Sequence, residues 1–267
     1  MDLRYIDAHC HVQFDAYEAD RDAVLDEMRR QRVGAIVVGV DYPTSVAAIE
    51  LARTHEGLYA SVGLHPNHTS EVFDTAAYRA LAADATVVAI GECGLDYFRP
   101  ETLSDSVKEA QKQLLRAHIA LSVEADKPLI IHARPSKGTY DAYDDLIAEL
   151  KEANATQGRS VRGDIHFFVG SVEQARELAM LGFTLSFTAV VTFARDYDAA
   201  MRAVPLSSIL AETDAPYVAP VSRRGKRNDP LAVIEVVAKI AEVRGEDPET
   251  VRAALLGNTV RLFRLPE

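Results

Sequence analysis

Eight short apolar runs recur along this chain at fairly regular spacing: "RYIDAH", "AIVVGV", "LYASVGL", "TVVAIG", "PLIIHA", "DIHFFV", "FTLSF" and "SILAET". Most are continuously apolar rather than alternating, the pattern of parallel strands covered on both faces. Between them lie segments with helical spacing. Over about residues 104–125, Val107, Ala110, Leu114, Ala117 and Leu121 fall on one stripe. Beyond Pro230, the residues Ile234, Val237, Ala238 and Ala241 share a face. Eight strands alternating with helices predict an α/β fold of the (β/α)8, or TIM barrel, type. A doubly wound open sheet would advertise a Gly-rich phosphate loop after its first strand. Here "HCHVQF" stands in that place. No linker, low-complexity tract or internal repeat is visible, so residues 1–267 are read as a single domain.

The barrel reading makes a demand that the chain can meet or fail. Active sites of such barrels form at the C-terminal ends of the strands, so residues that carry chemistry should collect there. His9 and His11 end the first run, His65 follows the third, Glu92 the fourth, and His132 ends the fifth. His166 lies in the sixth and Asp214 follows the eighth. Along a strand, residues i and i+2 share a face, so His9 and His11 project together while Cys10 points away. A single strand-end histidine is most often structural. Five of the chain's eight histidines in such positions fit a scatter over loops and helices poorly. Histidines with carboxylates and no cysteine donor suit a divalent metal site open to water.

Other candidates take plainer readings. Asp41, followed by Pro43 and Thr44, reads as a turn and helix cap. Asp96 in "GLDYF" is open between support of the site, contact with a substrate, and an ordinary loop position. His55 and His118 sit in helical segments as packing or polar residues, and Cys93 points away from Glu92 by alternation. No G-x-S-x-G elbow or P-loop is present.

Composition bounds the partners. The formal net charge is −11, which excludes a surface that is basic throughout but leaves room for a local basic patch. Cys10 and Cys93 read as reduced thiols. The first nine residues include Asp2, Arg4, Asp7 and His9, which is no apolar centre of a signal peptide. Nothing approaches the roughly 18 continuous apolar residues of a membrane span. The expectation is a soluble, cytoplasmic protein without a membrane partner, for which a monomer is plausible.

The stretches "DAHCH", "GLHP", "IGECGLDYF", "PLIIHARPS", "IHFFVGS", "LAETDAPYVAP", "RRGKRNDP" and "GNTVRLF" run in order from residue 7 to residue 263. Through them the chain resembles the TatD family of metal-dependent deoxyribonucleases, among the amidohydrolase-like barrels. It departs from the usual pattern at Asn67, where a histidine is common, and at Phe167, Val169, Ala189 and His118. None of these positions carries a metal ligand, but they change the pocket rim.

The resemblance implies a centre of two divalent ions, Zn, Mn or Mg. His9, His11 and Asp214 would hold one ion, His132 and His166 the other, and Glu92 would bridge them. Glu92 and Asp214 would be the catalytic carboxylates, with Asp214 as general base. His65 and Arg134 would contact the phosphate. The cluster Arg223, Arg224, Lys226 and Arg227, on the active face after the eighth strand, can attract a polyanion, and Arg224, Lys226 and Arg227 are the substrate-binding candidates there. Gly225 is open between close approach to a phosphate and a simple turn, and Asn228 between that site and capping the next helix. The implied activity is phosphodiester hydrolysis in DNA, as an exonuclease on single strands or chain ends. The alternative is another ester or amide, such as that of a D-aminoacyl-tRNA. The complete donor set argues against a barrel that serves only as a binding scaffold.

Overall fold

In a computed structural model, which describes residues 2–68, 71–100, 103–157 and 161–266, every one of the eight apolar runs overlaps a strand. These are β1 Tyr5–Cys10, β2 Val33–Val38, β3 Leu58–Val62, β4 Val87–Asp96, β5 Leu129–Arg134, β6 Gly163–His166, β7 Thr184–Phe187 and β8 Ile209–Ala211. They form one sheet in sequence order, and each adjacent pair from β1 to β8 is parallel. The sheet curls until its edges meet, where Cys10 bridges to Ala215. There the Asp214 amide donates to His9 O at 2.9 Å and the His11 amide to Ala215 O at 2.7 Å.

A buried side chain reinforces this seam. Asp7, two residues before His9 on β1, accepts the Thr213 amide at 2.8 Å and the Thr213 hydroxyl at 2.5 Å. It also accepts the His9 amide at 3.1 Å. Burial pushes the Asp7 carboxyl well above the usual range. The same residue therefore joins the first and last strands and holds the backbone from which His9 projects.

Helices wrap the barrel: α1 Arg21–Gln31, α2 Tyr42–Thr54, α3 Thr75–Ala82, α4 Asp105–Ala125, α5 Asp141–Thr156, α6 Val172–Met180, α7 Asp198–Ala203, α8 Val233–Arg244 and α9 Pro248–Phe263. Asp41 caps α2 through a reciprocal pairing with Thr44, as its sequence context indicates. The buried face of α4 differs from the apolar stripe. It runs through Gln111, Leu115, His118, Ile119 and Ser122 and keeps Leu121 of the stripe buried, while Val107, Leu114 and Ala117 are half-buried and Ala110 is exposed. Two polar residues displace the stripe because each satisfies buried backbone. The Gln111 side chain pairs with both the amide and the carbonyl of Asp96, and His118 Nε2 accepts the Leu64 amide at 3.0 Å. On α8, Val237 and Ala241 are buried as expected, but Ile234 is half-buried and Ala238 exposed. This helix packs on α9 as well as on the barrel, which turns its inner face toward Val233, Val236 and Ile240.

Two strands change register just where they carry candidate ligands. Between β1 and β2 the register shifts between Asp7 and Cys10, and between β4 and β5 it shifts between Ile90 and Cys93. A bulge re-aims the side chain it carries, here His9 and Glu92. Gly94 makes the next step possible. At φ 136 it sits where a Cβ would meet the carbonyl oxygen of His132 at 2.0 Å, so β5 can close on β4 beside Glu92.

Candidate metal centre

Glu92 lies at the middle of the barrel mouth and presents a different oxygen to each side. Its Oε2 is 3.5 Å from His9 Nε2 and 4.0 Å from His11 Nε2. Its Oε1 is 3.0 Å from His132 Nδ1, 3.4 Å from His65 Nε2 and 3.8 Å from His166 Nε2. Asp214 completes the first side, with Oδ1 at 3.5 Å from His11 Nε2 and 4.0 Å from His9 Nε2. Sheet register explains the second side, since His132 and His166 are paired residues of β5 and β6.

Donor atoms within 4.8 Å of one another form overlapping sets: His9, His11 and Glu92; His9, His166 and Asp214; His65, Glu92 and His132. His166 thus touches both sides, and its ring stacks on His9 at 3.5 Å. His65, expected beside a phosphate, stands among the donors as well as lining the cavity.

The imidazoles differ in what stands behind them. His132 Nε2 lies 3.1 Å from Asp96 Oδ2. His166 Nδ1 lies 2.9 Å from Glu212 Oε1, which also accepts the Phe167 amide at 2.7 Å. His11 Nδ1, by contrast, meets the Val38 carbonyl at 2.8 Å, and His9 Nδ1 has no hydrogen-bond partner among the described residues. Carboxylates behind metal-binding imidazoles fix the ring orientation and raise its basicity. Asp96 therefore ends β4 with its carboxylate against His132 rather than standing at an ordinary loop position. Glu212 went unrecognised in the sequence, although it stands two residues before Asp214. Alternation along a strand is the signal that would have found it.

Burial and charge oppose one another throughout. Burial holds His9 and His65 at about 3, so both imidazoles are neutral with lone pairs available. Burial also works against the charge of Glu92, yet the surrounding imidazoles, His65 foremost, hold its carboxyl well below the usual range. Asp96 is likewise held low, burial being outweighed by His132 and by the amides it accepts. Burial raises the Glu212 carboxyl, whereas the neighbouring Glu212 charge raises His166 against the effect of burial. The neutral nitrogens of His9 and His65, with the anionic oxygens of Glu92 and Asp214 beside them in a buried space, offer donors suited to divalent cations. His9 Nε2 and His11 Nε2 lie 3.1 Å apart, close enough for one to donate to the other or for both to face one cation.

The centre forms the floor of a cavity of about 730 Å³, in the range of ligand sites. Arg134 lines it with its guanidinium 4.1 Å over the Phe98 ring, and Arg99, which the motifs did not single out, lines it too. The basic loop stands outside this lining. Arg224 lies over Phe193 and Lys226 is exposed, whereas Arg227 makes a two-pronged ion pair with Asp20 and covers Tyr17. Gly225, at φ 81, serves a turn. Asn228 is not the helix cap. Asp229 accepts the Leu231 amide in that role, and buried Asn228 ties Thr213 to Val218 through its side-chain amide.

Known proteins place this arrangement. The model of the TatD related DNase family matches residues 6–264. The chain belongs to the TatD family. It is 37% identical over 264 residues to the uncharacterized metal-dependent hydrolase YabD of Bacillus subtilis (strain 168), covering 97% of this chain and 98% of that one. It is 30% identical to the 3'-5' ssDNA/RNA exonuclease TatD of Cronobacter sakazakii, covering 96% and 97%. The crystal structure of the TatD homologue YjjV from Escherichia coli K12 superposes with a TM-score of 0.87 at 31% identity and full coverage of both chains. This TatD chain is thus a metal-dependent hydrolase with a TIM barrel fold. Among the described residues no helix is long and apolar enough to cross a membrane.

Proposed function

We propose that this TatD protein hydrolyses phosphodiester bonds in DNA, as an exonuclease on single-stranded ends, at a centre of two divalent ions. The observation that carries the reading is Glu92, which directs one oxygen to His9 and His11 and the other to His65, His132 and His166. His9, His11 and Asp214 would hold one ion, His132 and His166 the other, and Glu92 both. Held there, such ions would supply an acidified water and offset charge on the attacking and leaving oxygens of a phosphodiester. The imidazole-rich set favours Zn or Mn over Mg, which prefers oxygen donors.

The protein's own groups divide the remaining work. Asp214 lines the cavity, and its carboxylate takes the proton of the attacking water before passing it to the leaving oxygen. Burial disfavours its charge, but His11, His166 and His9 keep it ionised and able to act as a base. His65 and Arg134, which line the same cavity, orient the phosphate. Arg224, Lys226 and Arg227 form an exposed outer rim that draws in a polyanion, with Arg227 partly neutralised by Asp20. The activity named for the Cronobacter sakazakii relative supports a nucleic-acid substrate.

The test is hydrolysis of an end-labelled single-stranded DNA and of a D-aminoacyl-tRNA by metal-stripped and reloaded protein. DNA cleavage that disappears on stripping and returns with Mn, Zn or Mg is the expected result. Full activity in protein free of metal by elemental analysis contradicts it. Deacylation without DNA cleavage transfers the centre to the other ester.

A further inference from the structure

The cavity has two unlike walls. In an eight-stranded ring closed between β1 and β8, the ends of β4 and β5 lie across the mouth from that seam. The β4–β5 wall carries Arg99 and Arg134. Arg134 makes no ion pair among the described residues, and Arg99 only approaches Asp96 Oδ2 at 3.7 Å. The opposite wall carries Phe14 and Tyr217. Phe14 stacks on His11 at 4.6 Å with an interplanar angle of 11°, which fixes the ring flat beside the proposed donors. Tyr217 is 54% exposed, its ring 6.3 Å from that of His11, and its hydroxyl has no hydrogen-bond partner among the described residues. Tyr217 thus presents an exposed aromatic ring at the cavity mouth, opposite the two arginines.

We propose that the Phe14–Tyr217 wall is a stacking subsite for the unpaired base of the nucleotide being cleaved, while Arg99 and Arg134 hold the phosphate side. This rests on the phosphodiesterase reading above and adds the orientation of the substrate within it. A nucleotide unit has an aromatic plane at one end and an anion at the other, and the two walls present a partner for each. Phosphates are matched by guanidinium groups, and any base can stack on an aromatic ring. A base held in a duplex presents no free face to such a wall, so the subsite selects a frayed or single-stranded end.

Binding and cleavage test this separately. Metal-loaded protein is titrated with a deoxynucleoside 5'-monophosphate and with deoxyribose 5-phosphate, which lacks only the base. The monophosphate is expected to bind about tenfold more tightly, the usual scale of one base–aromatic stack. Tyr217→Leu should bring the two affinities together, whereas Tyr217→Phe should preserve the difference. Arg99→Gln should weaken both ligands alike. Equal affinities in the unaltered protein, or an undiminished difference in Tyr217→Leu, overturns the subsite. A parallel assay compares cleavage of single-stranded oligonucleotides that end in a normal or an abasic residue. Cleavage of neither, with the binding difference intact, defeats the phosphodiesterase reading and leaves the base subsite standing.

Discussion

The histidines of β1 and those of β5 and β6 solve one problem in different ways. On the β1 side, negative charge is delivered directly by Asp214, and the far ring nitrogens of His9 and His11 meet no carboxylate. On the β5–β6 side, apart from the shared Glu92, the charge stands one imidazole away, in Asp96 behind His132 and Glu212 behind His166. Charge in contact with an ion can also move a proton. Charge behind an imidazole can only orient and polarise it. On the proposed mechanism the comparison is a division of labour, in which the β1 side would do chemistry and the β5–β6 side would anchor.

Four experiments would break or sharpen that comparison. The largest effect is expected from removing the metals, since chelation withdraws what both sides serve. Hydrolysis should fall to the uncatalysed background and return with added divalent ion, measured by DNA cleavage against metal content. Next comes Asp214→Asn, which removes proton transfer together with a donor. Turnover should fall by about 10²–10⁴-fold even at saturating metal. A loss that excess metal fully repairs would show that Asp214 only anchors.

Glu212→Gln and Asp96→Asn should act oppositely, each lowering metal affinity by about 10–100-fold while turnover at saturating metal recovers most of its value. Equilibrium dialysis alongside kinetics checks this. Persistent loss of turnover in a fully loaded variant would erase the distinction between the two sides. The smallest effect belongs to Arg227→Ala. Its ion pair with Asp20 is at the surface, so denaturant melts should shift by no more than about 1 kcal/mol. Metal content should be unchanged.

The strands, and the histidines and carboxylates that gather at the barrel mouth, were legible because each is a local pattern. Apolar runs mark parallel strands, and a histidine or carboxylate just past a run marks the barrel's active face. What escaped depends on partners far apart in the chain. Glu212 meets the Phe167 amide across 45 positions, and Asn67, at a position where the family usually has histidine, donates to Asp96 at 2.8 Å. The α4 face was misplaced for a related reason: Gln111 and His118 are buried by their hydrogen bonds, which hydrophobic periodicity does not register. Asn228, left open between the phosphate site and the cap, leaves the cap to Asp229 because its side chain is committed to Thr213 and Val218. Arg227 stood out by charge alone, and Asp20, its partner from the start of α1, could not be read from the loop.

Both sets of histidines face a single carboxylate, so the most direct measurement is metal stoichiometry and turnover in Glu92→Gln. The substitution keeps the shape of the side chain while removing its charge and one metal-binding oxygen. A folded variant that retains fewer tightly held ions than the unaltered protein, with turnover lower by about a hundredfold or more, is the predicted result. Two tightly held ions with near-normal turnover would show that Glu92 does not join the two sets of histidines.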